Sequence, residues 1–196
     1  MKKFPLALGT SALALALALT GCSVDSSETN SKDSSSSTEA PATSANAADE
    51  MFVTMMIPHH QQAIEMADIL LEKEDADARV TELAQNVKDA QSPEIERMLS
   101  WLEEWGVTYD PNSGMGHGSG DGMMSESDIS ALEDASGADA SRLFLEQMIA
   151  HHEGAVEMAR TALQDASNPE VLELAEQVID DQTSEIGEMN DLIAQL

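Results

Sequence analysis

Imidazole and thioether groups occur together twice in this sequence. MMIPHHQQAIEMA runs from Met55 to Ala67, and QMIAHHEGAVEMA from Gln147 to Ala159, 92 residues further on. Four of the five histidines lie in these two stretches. At about 100° per helical residue, Met55, His59, Gln62 and Met66 fall on one line, and Gln147, His151, Gly154 and Met158 form its partner. A stripe of methionine alone more often builds a core than a cofactor box. Here it carries histidine and is repeated. The glycine-rich stretch from Gly106 to Ser127 adds Met115, His117, Met123 and Met124. Imidazole with thioether, in a chain whose one cysteine is Cys22, is a soft donor set. It selects Cu(I) or Ag(I) over calcium, magnesium and manganese.

The second histidine of each pair points elsewhere. With His60 as origin, Val53, Met56, Ile57, Ala63, Ile64, Ala67 and Leu70 lie within about 80° of it, so His60 is expected to face the core. The same holds for His152 among Leu145, Met148, Ile149, Ala155, Val156 and Ala159. His59 and His151 fall about 100° away, at the edge of the apolar face. On the complementary segments Gln91 and Gln182 are centred among apolar residues, with Glu94 and Glu185 about 60° off. A buried polar group without a partner costs about 1–3 kcal/mol. These six must therefore satisfy one another, a metal or buried water. Three readings stay open: a His–Glu–Gln hydrogen-bond network, a ferritin-like metal-dependent oxidoreductase, and part of a copper site. The carboxylates are too few for a di-iron centre, which uses Glu-x-x-His where this chain has Gln-x-x-Glu. Structural zinc favours cysteine or more histidines. Zinc and iron thus rank below copper.

These groups must be positioned by helices. Ala, Leu, Glu, Gln and Met dominate both halves. Helices are expected near 49–73, 78–105, 139–166 and 169–195, with Asp77 and Asn168-Pro169 as start signals. LAQNVKDAQSPEIERM, Leu83 to Met98, matches LAEQVIDDQTSEIGEM, Leu174 to Met189. The repeat therefore covers a pair of helices in each half. The expectation is all-α: a duplicated helix hairpin forming a four-helix bundle. Repeat 1 spans 49–105, a Gly/Met/His crossover loop 106–127, and repeat 2 139–196. Pro58 and Pro93 fall inside helices and are expected to kink them.

Ahead of the bundle, Lys2-Lys3 and an apolar run from Phe4 to Leu19 read as a secretory signal peptide, 1–21, and Thr20-Gly21-Cys22 resembles a bacterial lipoprotein lipobox, which implies lipidation at Cys22. Residues 22–48 are rich in Ser, Ala and acid, and read as a disordered tether. The chain would be exported and lipid-anchored outside the cytoplasmic membrane. Without residues 1–21 it carries 7 basic and 37 acidic residues, a net charge of −30. That excludes nucleic acid and adhesion to anionic headgroups, leaving the lipid as the one membrane contact. No Ser-His-Asp order, phosphate loop or activated cysteine supports hydrolytic or nucleotide chemistry.

The duplicated Met-Ile-x-His-His-x-x-Ala-x-Glu-Met-Ala pattern, with Gln91-x-x-Glu94-Ile95 and Gln182-x-x-Glu185-Ile186, resembles the bacterial domain of unknown function 305 family over 49–196. The resemblance implies a ferritin-like bundle, usually exported, and a characterised periplasmic branch that binds copper through methionine and histidine. Carried to this sequence, it points to Met55, Met56, His59, His60 and Met66, and to Met148, His151, His152 and Met158. Gln147 stands where the first copy has Met55, so the second site is expected to be weaker or to choose another metal. The expected function is non-enzymatic copper binding for sequestration, tolerance or handover to a partner protein. The alternatives are the oxidoreductase and a structural or partner-binding envelope module.

Overall fold

The computed structural model describes residues 45–111 and 121–196, of which most form five helices and none forms a strand. The expected leader, Cys22 and most of the tether lie outside the described residues, as do Met115 and His117. The first helix, α1, is Ala47–Leu71. It starts where Asn46 accepts from the backbone of Ala48 and Asp49 while the Asp49 carboxylate accepts from the Asn46 N–H, a capping box. Thus the last residues assigned to the tether already serve the helix. α2 is Ala78–Trp105, opened by Asp77, and both helices run unbroken through Pro58 and Pro93. α4 is Gly137–Asp165, and α5 is Pro169–Ile193 with Asn168 as cap.

The crossover differs from the loop expected there. It contains α3, Glu126–Asp134, closed at its start by a Ser125–Asp128 capping box. Leu132 on this helix is fully buried. A nine-residue segment cannot sustain a helix by propensity. Caps and burial of Leu132 against α1 and α4 hold it.

α1 packs on α2, α4 on α5, and α1 crosses α4 antiparallel, with the Asn46 amide donating to the Asp165 carbonyl at 3.0 Å. Two apolar cores result. One joins Ala63 to Leu70 of α1 with Val80, Leu83 and Val87 of α2, Phe144 to Met148 of α4 and Met189 of α5. The other joins Phe52 to Ile57, Met98 to Leu102, Ala155 to Ala162 and Val171 to Val178. Each helix of a hairpin gives one half to each core. The duplication is visible as a pseudo-twofold that exchanges the two ends. Its interlocks correspond too. Asp49 on α1 accepts from the N–H groups of Ser167 and Asn168, both at 3.0 Å, where α5 begins. Ser141, 92 positions on, accepts from the N–H of Asp77 at 2.9 Å, where α2 begins.

Candidate metal site

Between the two cores lies a polar layer. Its members are His59 and His60 on α1, Gln91 and Glu94 on α2, His151 and His152 on α4, and Gln182 and Glu185 on α5. All four histidines are at most 1% exposed. His60 Nε2 meets Glu94 at 2.8 Å, and His152 Nε2 meets Glu185 at 2.6 Å. Each carboxylate fixes its imidazole with the proton on Nε2. The two glutamates keep 14% and 21% of their side chains in solvent, which lessens the cost of their charge.

His59 and His151 lie on the pseudo-twofold, rings 3.7 Å apart and tilted by 40°. An isolated wheel puts them at an edge. In the bundle that edge is where α1 meets α4, so both are buried. Burial, and after it the proximity of the His60 and His152 rings, pushes the His59 pKa down to about 3. The same burial, with His59 next in weight, holds His151 well below its ordinary value. Both rings are neutral at physiological pH, the form that offers a lone pair. An ion held between two imidazoles at about 2 Å from each nitrogen needs the rings farther apart than these stand. The pair as packed does not bracket an ion.

The layer is under-satisfied. Seven buried side-chain atoms in it have no hydrogen-bond partner: Nδ1 of His59, His60 and His152, both ring nitrogens of His151, and Oε1 of Gln91 and Gln182. At about 1–3 kcal/mol each, this is comparable with the net stability of a domain, about 5–15 kcal/mol. Among the described residues no three of His, Cys, Asp and Glu are grouped to hold a metal.

A strap from Asp121 to Met124 crosses the α1–α4 seam above the histidine pair. His59 Nε2 donates to the Asp121 carbonyl at 2.9 Å. Gln62 grips the Met124 backbone twice, donating to its carbonyl at 2.9 Å and accepting from its N–H at 2.7 Å. The close approach needs glycine on both sides. A Cβ on Gly154 would stand 2.0 Å from the Asp121 carbonyl oxygen, and one on Gly122, whose φ is +77°, would stand 2.6 Å from the Ala150 carbonyl oxygen. The stripe positions Gln62 and Gly154 thus anchor the strap.

The methionines divide. Met56, Met66 and Met148 are fully buried in the two apolar cores. Met55 and Met158 line an open cleft of about 400 Å³ beside the strap, together with Met51, Phe52 and Gly154. Met123 and Met124 line a separate hollow of about 800 Å³ with Gln62 and Glu65. Sequence reading missed Met51. The signal was present: Met51, Met55 and His59 continue one i, i+4 line by a further turn.

Residues 49–193 match the model of the domain of unknown function 305 (DUF305), and the chain belongs to that family. No curated protein matches it. Among solved structures, a DUF305 fragment from Deinococcus radiodurans is 32% identical, with a TM-score of 0.72 over 78% of this chain and 99% of that one. A DUF305 protein described as secreted, from Streptomyces coelicolor, is 32% identical, with a TM-score of 0.69 over 76% of this chain and 93% of that one. CopM in its Cu(II)-bound form is 33% identical, with a TM-score of 0.66 over 75% and 96% of the two chains. CopM structures with Cu(I) and with silver match as well.

Proposed function

We propose that this DUF305 protein is a non-enzymatic binder of copper-type cations, exported and tethered by lipid at Cys22, that sequesters the ion or hands it on. One observation carries the reading: the facing Met/His stripes of α1 and α4 meet across one seam. This puts Met55 and Met158 in a solvent-open cleft beside the strap, which covers a buried pair of neutral imidazoles of which His59 Nδ1 and both nitrogens of His151 have no hydrogen-bond partner. The donors suit a thiophilic ion, and CopM, with this fold, has been crystallised with copper and silver. The copper is cargo. The chain's own residues supply soft donors, neutral imidazoles, and a strap over His59. No helix among the described residues is long and apolar enough to cross a membrane.

The oxidoreductase alternative has less support, since each core carboxylate already accepts from a histidine. The test of the main reading is competition for Cu(I) against a chromogenic chelator, with the melting temperature read in parallel. A ligand of the native state must raise that temperature. A chain that leaves all Cu(I) on the chelator and melts unchanged is not a copper binder.

A further inference from the structure

The cleft between the first half of α1 and the last half of α4 has a lining that packing does not explain. Met51 is 62% exposed. So large an apolar side chain in water gains little from burial where it stands. It lies one turn before Met55 on the same face, and the antiparallel α4 brings Met158 from the other wall. Small residues, Ala48 and Gly154 among them, share the lining with the three methionines of this open cleft of about 400 Å³. No imidazole lines the cleft. The acidic residues Asp121, Glu157 and Asp165 also border it.

We propose that Met51, Met55 and Met158 form an all-thioether site that takes one monovalent soft cation per chain. This rests on the copper-binding reading and deepens it, naming the donor set, the oxidation state and the stoichiometry. Thioethers are neutral and weak toward hard ions, so divalent cations lose more in dehydration than three sulfurs return. A monovalent ion carries less hydration to lose, and the acidic groups of the cleft favour its approach. The stoichiometry follows from the pseudo-twofold. Its operation takes Met51 to Leu143, Met55 to Gln147 and Met158 to Met66. That counterpart keeps one thioether, fully buried, and α3 fills the space in front of it.

Ag(I), which does not change oxidation state, is the probe. Calorimetric titration of the purified chain is expected to give one equivalent bound at high affinity. Met51→Leu is expected to weaken binding at least about tenfold, with Met189→Leu in the core as the unaffected control. Leucine nearly conserves volume, and melting of the silver-free variants checks that each is folded. A second readout needs no variant. Under mild peroxide, bound Ag(I) should shield Met51, Met55 and Met158 from sulfoxide formation, scored by peptide mass, while excess Zn(II) neither shields them nor displaces silver. Unchanged affinity in Met51→Leu, absence of shielding, or displacement by Zn(II) overturns the thioether site while the copper reading stands. A wild-type chain that binds no Ag(I) removes both.

Discussion

The two ends of the bundle descend from one duplicated hairpin, and they have been finished differently. At one end the groove between α1 and α4 is open and lined by Met51, Met55 and Met158. At the other, α3 lies in the related groove, with Leu132 buried, Gln147 donating to the Asp128 carbonyl at 2.9 Å, and Lys73 reaching the Glu133 carbonyl. A duplicated fold offers two equivalent places for a ligand. Here the crossover that joins the repeats has become the occupant of one of them. On the proposed reading the chain separates two tasks that its sequence repeat would leave shared: one end for stability, one end for the cation.

The largest expected effect acts on the layer between the ends and should loosen both together. His59, held near 3, and His151, held well below its ordinary value, resist protonation in the folded chain but not in the unfolded one. Between the unfolded value of about 6.5 and the folded value, the unfolded state binds more protons, so stability falls as pH falls. The slope is up to about 1.4 kcal/mol per pH unit for each histidine. Urea unfolding of metal-free protein from pH 7 to pH 5 measures it. A flat profile there would mean that the two rings are reached by water.

The next perturbation should separate the ends. Leu132→Ala removes the apolar anchor of α3 and should cost about 2–4 kcal/mol in urea unfolding. Silver affinity at the open cleft is expected to hold. A loss under about 1 kcal/mol would show that α3 is a passenger on the closed end. The two interlocks allow a finer comparison. Asp49 receives the N–H groups of Asn46, Ser167 and Asn168, whereas Ser141 receives only that of Asp77. Asp49→Ala should therefore cost about 2–3 kcal/mol and Ser141→Ala about 1 kcal/mol. Equal losses would erase the distinction.

How much of this could be read beforehand follows from the same asymmetry. The four long helices were legible because their periodicity is strong and written twice, and so were the caps of α2 and α5, whereas the Asn46 cap of α1 was taken for tether. The inward course of His60 and His152 was legible because a wheel needs only one helix. The burial of His59 and His151 was not, since it depends on which helix and which strap cover that edge. α3 was hidden because nine residues beginning in a glycine-rich crossover carry too little periodicity, and only the receiving groove makes them helical. The inequality of the ends was half visible in Gln147. Its cause was not, because it lies in the crossover rather than in either repeat.

Gln147→Met should have the smallest effect, and it bears most directly on why the ends differ. The substitution restores the residue that the first repeat carries at Met55. It removes a hydrogen bond to the Asp128 carbonyl, a loss of about 1 kcal/mol, and also removes a buried Oε1 that has no partner. The two terms oppose each other, so stability should change by less than about 1 kcal/mol. If residue identity alone closed that end, the variant, with Leu143→Met added, would hold a second silver ion. If α3 closes it, the stoichiometry stays at one, because the new thioethers face Leu132 and Ile129 rather than solvent. We expect one, and a titration that reaches two would mean that the donor set, not the crossover helix, decides which end of the bundle binds.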